Sequence, residues 1–398
     1  MALPESPPHN GPDTGPLAET SGAALAARSR AWAGRIAWPS TSRRDHDGRW
    51  DAGLFDELAT APPGPGFAGP LVPRALGGAA LTATDACFML EGLAEGSRDP
   101  GLALAVAVHA ALVTVPIRAF GTARQRERYL PRMASGEWTG ALSLQQTQGT
   151  AHTPTVHARP AGPGQDGWIL GGAIDLVAGA PVAHHFLIIA AHGDGACTAF
   201  VVDRETPGLL VTNDGPAAMP TCPWGRLVLD DCFLPDDAVL GTVHGASAEV
   251  APLLAVLDWV FTSAPWLGIM RALIRDSVKA ARDRRLFGRP LSHDQSARFA
   301  LADLTTQSEL AEGLLRQVAS RFDHGGRPTP QEAATARLFT ASAARTVVQG
   351  AARLTGPLPR SGDGLIERAH RDVLFLSESG GGTEVLRPVI AAALLGLG

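Results

Sequence analysis

What most restricts the fold of this chain is a hydrophobic period that changes twice along its length. Apolar residues recur at helical spacing from about Ala23 to Tyr129, as in ThrAspAlaCysPheMetLeuGluGlyLeuAla (84–94). Within that stretch Gly101–Phe120 is apolar nearly all round, which predicts a buried helix. Between about Gly136 and Gly241 short apolar runs alternate with Gly, Pro and Asp clusters. They are TrpIleLeu (168–170), HisPheLeuIleIleAlaAla (185–191), ThrAlaPheValVal (198–202), LeuLeuVal (209–211) and ArgLeuValLeu (226–229). Those are strand signals with turn punctuation. From about Ser247 the helical period returns, with helices expected near Trp266–Arg285, Ser292–Phe322 and Pro330–Leu354. Pro359, Gly362 and Gly364 interrupt it. A further helix precedes the Gly380–Gly382 run and an apolar one follows it. This order predicts an α+β protein: a lead-in without fixed structure (1–21), a helical domain (22–135), a middle β-barrel or sandwich (136–243) and a second helical domain (244–398).

The rest of the composition excludes several function classes. A net charge of -5 gives no basis for binding nucleic acid or a membrane surface. No apolar run is expected to reach the roughly 20 residues of a membrane helix. The polar, Pro-rich start MALPESPPHNGPDTGP lacks the basic and apolar blocks of a signal peptide, so a cytoplasmic location is expected. Cys87, Cys197, Cys222 and Cys232 are scattered and make no CxxC pair, which points to reduced thiols rather than a disulfide framework or zinc site. His184, His185 and His192 lack metal-ligand spacing. His109 reads as a core histidine satisfied by a backbone carbonyl.

Four segments carry a family resemblance. PheGlyThrAlaArgGlnArgGluArgTyrLeuProArgMetAlaSerGlyGluTrp (120–138), LeuAspAspCysPheLeuProAspAspAlaValLeuGly (229–241), ArgArgLeuPheGlyArgProLeuSerHisAspGln (284–295) and GluArgAlaHisArgAspValLeuPheLeu (367–376) occur in that order. Together they resemble the acyl-CoA dehydrogenases over residues about 30 to 398. The resemblance implies a helical N-terminal domain, a middle β-barrel domain and a C-terminal four-helix bundle. It also implies FAD between β-domain and bundle, an acyl thioester substrate on CoA or a carrier protein, and a homodimer or homotetramer.

Desaturating a thioester needs a carboxylate to take the α-proton, a flavin to take the β-hydride, and donors that polarise the carbonyl. Matched to the family motif, the usual glutamate position falls on Gly380, the first of three glycines, so that base is absent. Glu378 and Glu384 lie nearby and read as surface carboxylates near helix ends. A minority of the family keeps its base on another helix, 29 residues before the Phe of the FG motif, and that position is Asp258. Its apolar neighbourhood, LeuLeuAlaValLeuAspTrpValPhe (253–261), suits an unpaired carboxylate of raised pKa. A helix N-cap or a paired core aspartate is the alternative. Trp259 stands where the family carries arginine.

By the same resemblance, Ser143, Arg284, Phe287, Gln295, Arg353 and Gly356 are the expected FAD contacts. Gln145, His152, Leu176, Trp259 and Gly380 are the expected pocket residues, with an exposed loop histidine as the alternative for His152. Leu176, Val177 and Ala178 replace the family's Trp-Ile-Thr. The side chains of Leu176 and Ala178 donate no hydrogen bond to the flavin, and Gly382 replaces a threonine. Three functions stay open: a flavin-dependent oxidoreductase tailoring an acyl or polyketide thioester, a flavin-free catalyst of dehydration, isomerisation or cyclisation using Asp258, and a non-catalytic scaffold. Ordinary fatty-acyl desaturation is not expected.

Overall fold

A computed structural model describes residues 22–61, 66–149, 153–326, 328–356 and 364–397. The expected lead-in 1–21, His152 and Pro359 lie outside them.

The N-terminal unit contains α1 (Gly22–Ile36), α2 (Trp38–Asp47), α3 (Ala52–Ala59) and α4 (Ala83–Ser97). α5 (Pro100–Ala107) runs through a π-helical turn (Val108–Val113) into α6 (Thr114–Phe120), and α7 (Ala123–Ser135) closes the unit. Four of its helices begin where the sequence supplies an acceptor. Asp51, Thr82, Asp99 and Thr122 each cap the following helix. Gln125 closes a capping box with Thr122, and its amide also donates to the carbonyls of Asp237 and Val239 at 2.9 Å. One side chain thus both starts α7 and ties it to the β-domain.

The β-domain is one eight-stranded sheet. Its strands are β1 (Gly140–Ser143), β2 (Val156–Pro160), β3 (Trp168–Ala178), β4 (His185–Ala191), β5 (Cys197–Asp203), β6 (Leu209–Thr212), β7 (Trp224–Leu234) and β8 (Val239–Leu240). The order is β6-β7-β3-β1-β4-β5-β8, and β2 pairs with both β3 and β4. Ile174, Phe186, Phe200 and Leu227 belong to an apolar core separate from that of the helices. The register Ser143↔Val177 and Leu142↔Ala178 puts the end of β1 beside the end of β3.

The C-terminal unit comprises α8 (Val250–Phe261), α9 (Ala264–Asp283), α10 (Gln295–Asp323), α11 (Pro330–Thr355), α12 (Leu365–Glu378) and α13 (Gly382–Leu395). Between α9 and α10 lies a hairpin of β9 (Arg285–Leu286) and β10 (Arg289–Pro290). α11 packs against α8, α9, α10, α12 and α13. Asp372 accepts from the backbone N–H of Met219 at 2.8 Å while Arg371 reaches Asp45 at 2.7 Å, so the Arg-Asp pair of the fourth motif joins α12 to the other two units.

The expectation about apolar runs needs correcting. Pro100–Phe120 and Val250–Asp283 are both long and apolar enough to cross a membrane, yet their most apolar stretches are wholly buried inside the protein. Their apolar surface forms the core between the units, as an all-round hydrophobic helix requires.

Candidate active site

The site grows from α8. This helix packs on α11, on the π-helical turn and on the short turn Ser379–Gly381. Asp258 is the ninth residue of α8, so it is not an N-cap, and it has no solvent exposure. It is also not unpaired. The hydroxyl of Thr147 donates to Oδ2 at 2.6 Å and that of Thr262 to Oδ1 at 2.8 Å. Burial pushes the carboxyl above the usual carboxylate range, while the Arg337 guanidinium and the two hydroxyls pull the other way. Asp258 is therefore a paired core aspartate, the alternative to the unpaired carboxylate, with burial raising its carboxyl.

Gly380 lies directly against this carboxylate. A Cβ built on it would sit 2.7 Å from Asp258 Oδ2 and 3.1 Å from Trp259 Nε1. Trp259 donates from Nε1 to the Gly380 carbonyl at 3.3 Å. The two positions that the family resemblance offers for a base therefore meet at one point in space, and only one of them carries an acid. Glu378 and Glu384 are both exposed.

Thr147 reaches Asp258 because the turn after β1 is pinned at both ends. Ser143 donates to the carbonyl of Asp175 at 2.6 Å and accepts from the N–H of Gln145 at 3.1 Å. Gln146, buried, exchanges two hydrogen bonds with the backbone of Ile189 at 2.8 and 3.1 Å. Leu176 is half-buried at φ 53°, and Ala178 is fully buried. Leu176 can pack on a ring face, Ala178 is enclosed in the core, and neither presents a side-chain donor.

The residues expected at the FAD adenine end divide into two groups. Arg284 and Arg353 line a cavity of about 570 Å³ bounded by the β9–β10 hairpin, the start of α10 and the end of α11. Arg284 donates to the Leu354 carbonyl at 3.3 Å, and its Nη1 lies 2.7 Å from where a Cβ on Gly356 would be. Gly356 has φ 69°, so glycine is what allows this approach. Phe287 and Gln295 stand outside the cavity lining, and Phe287, at the hairpin tip, is 98% exposed. Neither Arg284 nor Arg353 forms an ion pair among the described residues, and although Asp294 and Asp303 share the lining, two guanidiniums face the open cavity. That suits the phosphates of FAD. The two arginines thus fit the phosphates of FAD, and at the ring end Leu176 offers apolar contact only while Ala178 has no exposed surface.

Other histidines fall elsewhere. His109, in the π-helical turn, bonds the Met133 carbonyl through Nε2 at 3.2 Å and accepts from the Gly140 N–H at 3.2 Å, and burial lowers it to about 4. His185 is fully buried with neither ring nitrogen partnered, and burial lowers it to about 3. Among the described residues no three His, Cys, Asp or Glu side chains are placed to hold a metal ion.

Sequence reasoning missed Thr147, Thr262, Arg337 and Ser379. One signal was available for Arg337, a lone cation within AlaAlaThrAlaArgLeuPheThrAla (333–341), where the helical period puts it among buried alanines.

Comparison with known proteins agrees with this architecture. The acyl-CoA dehydrogenase N-terminal domain matches residues 22–137 and the acyl-CoA dehydrogenase C-terminal domain matches residues 260–395. The chain is 31% identical to benzylmalonyl-CoA dehydrogenase of Aromatoleum aromaticum, over 90% of this chain and 93% of that one. It is 28% identical to L-prolyl-[peptidyl-carrier protein] dehydrogenase of a Serratia species, over 65% of this chain and 68% of that one. The structure of butyryl-CoA dehydrogenase from Megasphaera elsdenii superposes with a TM-score of 0.86 at 25% identity, covering 94% and 98% of the two chains. Fold and family matches together define an α+β protein of acyl-CoA dehydrogenase type. The chain belongs to the acyl-CoA dehydrogenase family.

Proposed function

We propose that this protein is a flavin-dependent oxidoreductase acting on an acyl thioester in specialised metabolism, with Asp258 as its acid–base group. The observation that carries this reading is the contact between Asp258 and Gly380. The acid stands at the spot where the usual glutamate is missing, so the position of proton transfer is kept although the residue has moved to α8. A carboxyl kept above its ordinary range by burial is suited to exchanging a proton near neutral pH. Thr147 and Thr262 orient it, and the Gly380–Gly382 turn covers it. Arg284 and Arg353 would hold FAD at its phosphates, and the bound flavin would supply hydride acceptance or oxygen chemistry.

Relatives that act on benzylmalonyl-CoA and on a prolyl carrier protein support a thioester substrate, and they leave both CoA and a carrier protein as its handle. Straight-chain fatty-acyl desaturation ranks lower. Aspartate is one methylene shorter than glutamate, and Leu176 and Ala178 give the flavin ring no side-chain donor.

The purified protein's absorption spectrum, before and after addition of FAD, tests the reading. A bound-flavin band supports it. A protein that stays colourless in excess FAD overturns it. Such a result favours instead a flavin-free acid–base catalyst using Asp258, the reading that the lack of donors at Leu176 and Ala178 supports.

A further inference from the structure

Arg337 is a buried arginine with no carboxylate of its own. It projects from α11 at 1% exposure, and among the described residues it forms no ion pair. An unpaired buried cation is costly, so its contacts need a reason. Its Nη1 donates to Thr262 Oγ1 at 2.8 Å and to Ser263 Oγ at 3.2 Å. Its Nη2 donates to Ser379 Oγ at 2.7 Å and to the Ser379 carbonyl at 3.4 Å. One side chain thus touches the residue that binds Asp258 and the residue that precedes Gly380.

A hydroxyl has one proton. Because Thr262 Oγ1 accepts from Arg337, its own proton is turned away from the guanidinium and is shared between two acceptors of Asp258, the backbone carbonyl at 2.7 Å and Oδ1 at 2.8 Å. We propose that Arg337 is a positioning residue for Asp258, fixing the carboxyl's hydrogen bonds through Thr262 and holding the covering glycine turn through Ser379. This rests on the reading of Asp258 as the acid–base group. Arg337 is the charged side chain whose field acts on Asp258. His109, in the π-helical turn packed on α8, faces Gly140 and Met133 instead, and Glu378 is exposed.

The test is the titration of Asp258 in the intact protein, followed by its carboxyl infrared band and assigned by subtraction of Asp258→Asn. Thr262→Val removes the relay while leaving the guanidinium in place, and Arg337→Met removes the source. Both should move the Asp258 midpoint upward by about one pH unit, since each strips support from the charged form. Thr262→Ser should keep the wild-type midpoint. If Arg337→Met does not fold, Thr262→Val decides alone. A wild-type midpoint in folded Thr262→Val overturns the proposal. Because the band needs no substrate, that failure is distinct from full activity in Asp258→Asn, which would instead remove Asp258 from the reaction.

Discussion

Asp258 Oδ2 lies 2.7 Å from the point that a Cβ on Gly380 would occupy. An acid at 258 and any side chain at 380 therefore compete for one space. Gly380 also has φ 68°, a left-handed conformation that side chains rarely adopt. Gly380→Ala should destabilise the protein by about 1–3 kcal/mol from backbone strain, with the carboxylate contact added. In an Asp258→Ala background the added part should vanish. Urea unfolding of the four proteins in a double-mutant cycle checks this, and equal costs in both backgrounds would show that the contact carries no energy.

Asp258→Asn should lower turnover of an acyl thioester by about 10²- to 10⁴-fold, the usual worth of one general acid–base group. Circular dichroism should show the fold unchanged, because the asparagine amide can accept from one threonine hydroxyl and donate to the other. Steady-state kinetics of FAD-loaded protein on a panel of CoA and carrier-protein thioesters reads the effect.

The same substitution has a stability signature with a definite sign. Burial raises Asp258 in the folded protein, so the folded state binds the extra proton. Stability from this group is present below the unfolded value of about 3.9 and falls as pH rises through the folded value. The stability of wild type minus that of Asp258→Asn should therefore decrease with pH across that window. A flat difference between acid and neutral pH contradicts the assigned direction.

His185 works in the opposite sense. Its folded value of about 3 lies far below the usual histidine range. The unfolded chain takes up the proton first, so stability is lost as pH falls from about 6.5 toward 3. His185→Phe removes two unpartnered ring nitrogens from the core. It should be neutral to about 1 kcal/mol stabilising at pH 7 and should flatten the acid loss. Thermal unfolding against pH measures both.

Arg284→Leu should weaken FAD binding by about tenfold to a hundredfold, as expected for one charged hydrogen bond to phosphate. Leu176→Ala should change it less, because Leu176 offers apolar contact alone. Fluorescence titration of the apoprotein with FAD separates the two.

The sequence by itself determined where several helices begin. Thr122 with Gln125 marks α7 and Thr329 with Glu332 marks α11, because caps are local contacts between residues three apart. Period changes located the five central strands. The short β1, β2 and β8 escaped, since runs of four, five and two residues carry little periodicity. The missing glutamate at Gly380 was also legible, because motif spacing along the chain is one-dimensional. Asp258 was legible by its spacing from Phe287 as well, and only the tertiary structure decided what surrounds it. Thr147 meets Asp258 across 111 positions, and Arg337 meets Thr262 across 75. Such pairings depend on how α8 and α11 rotate about their axes and on how the turn after β1 docks upon them. Helix packing sets those angles, and no local pattern encodes them.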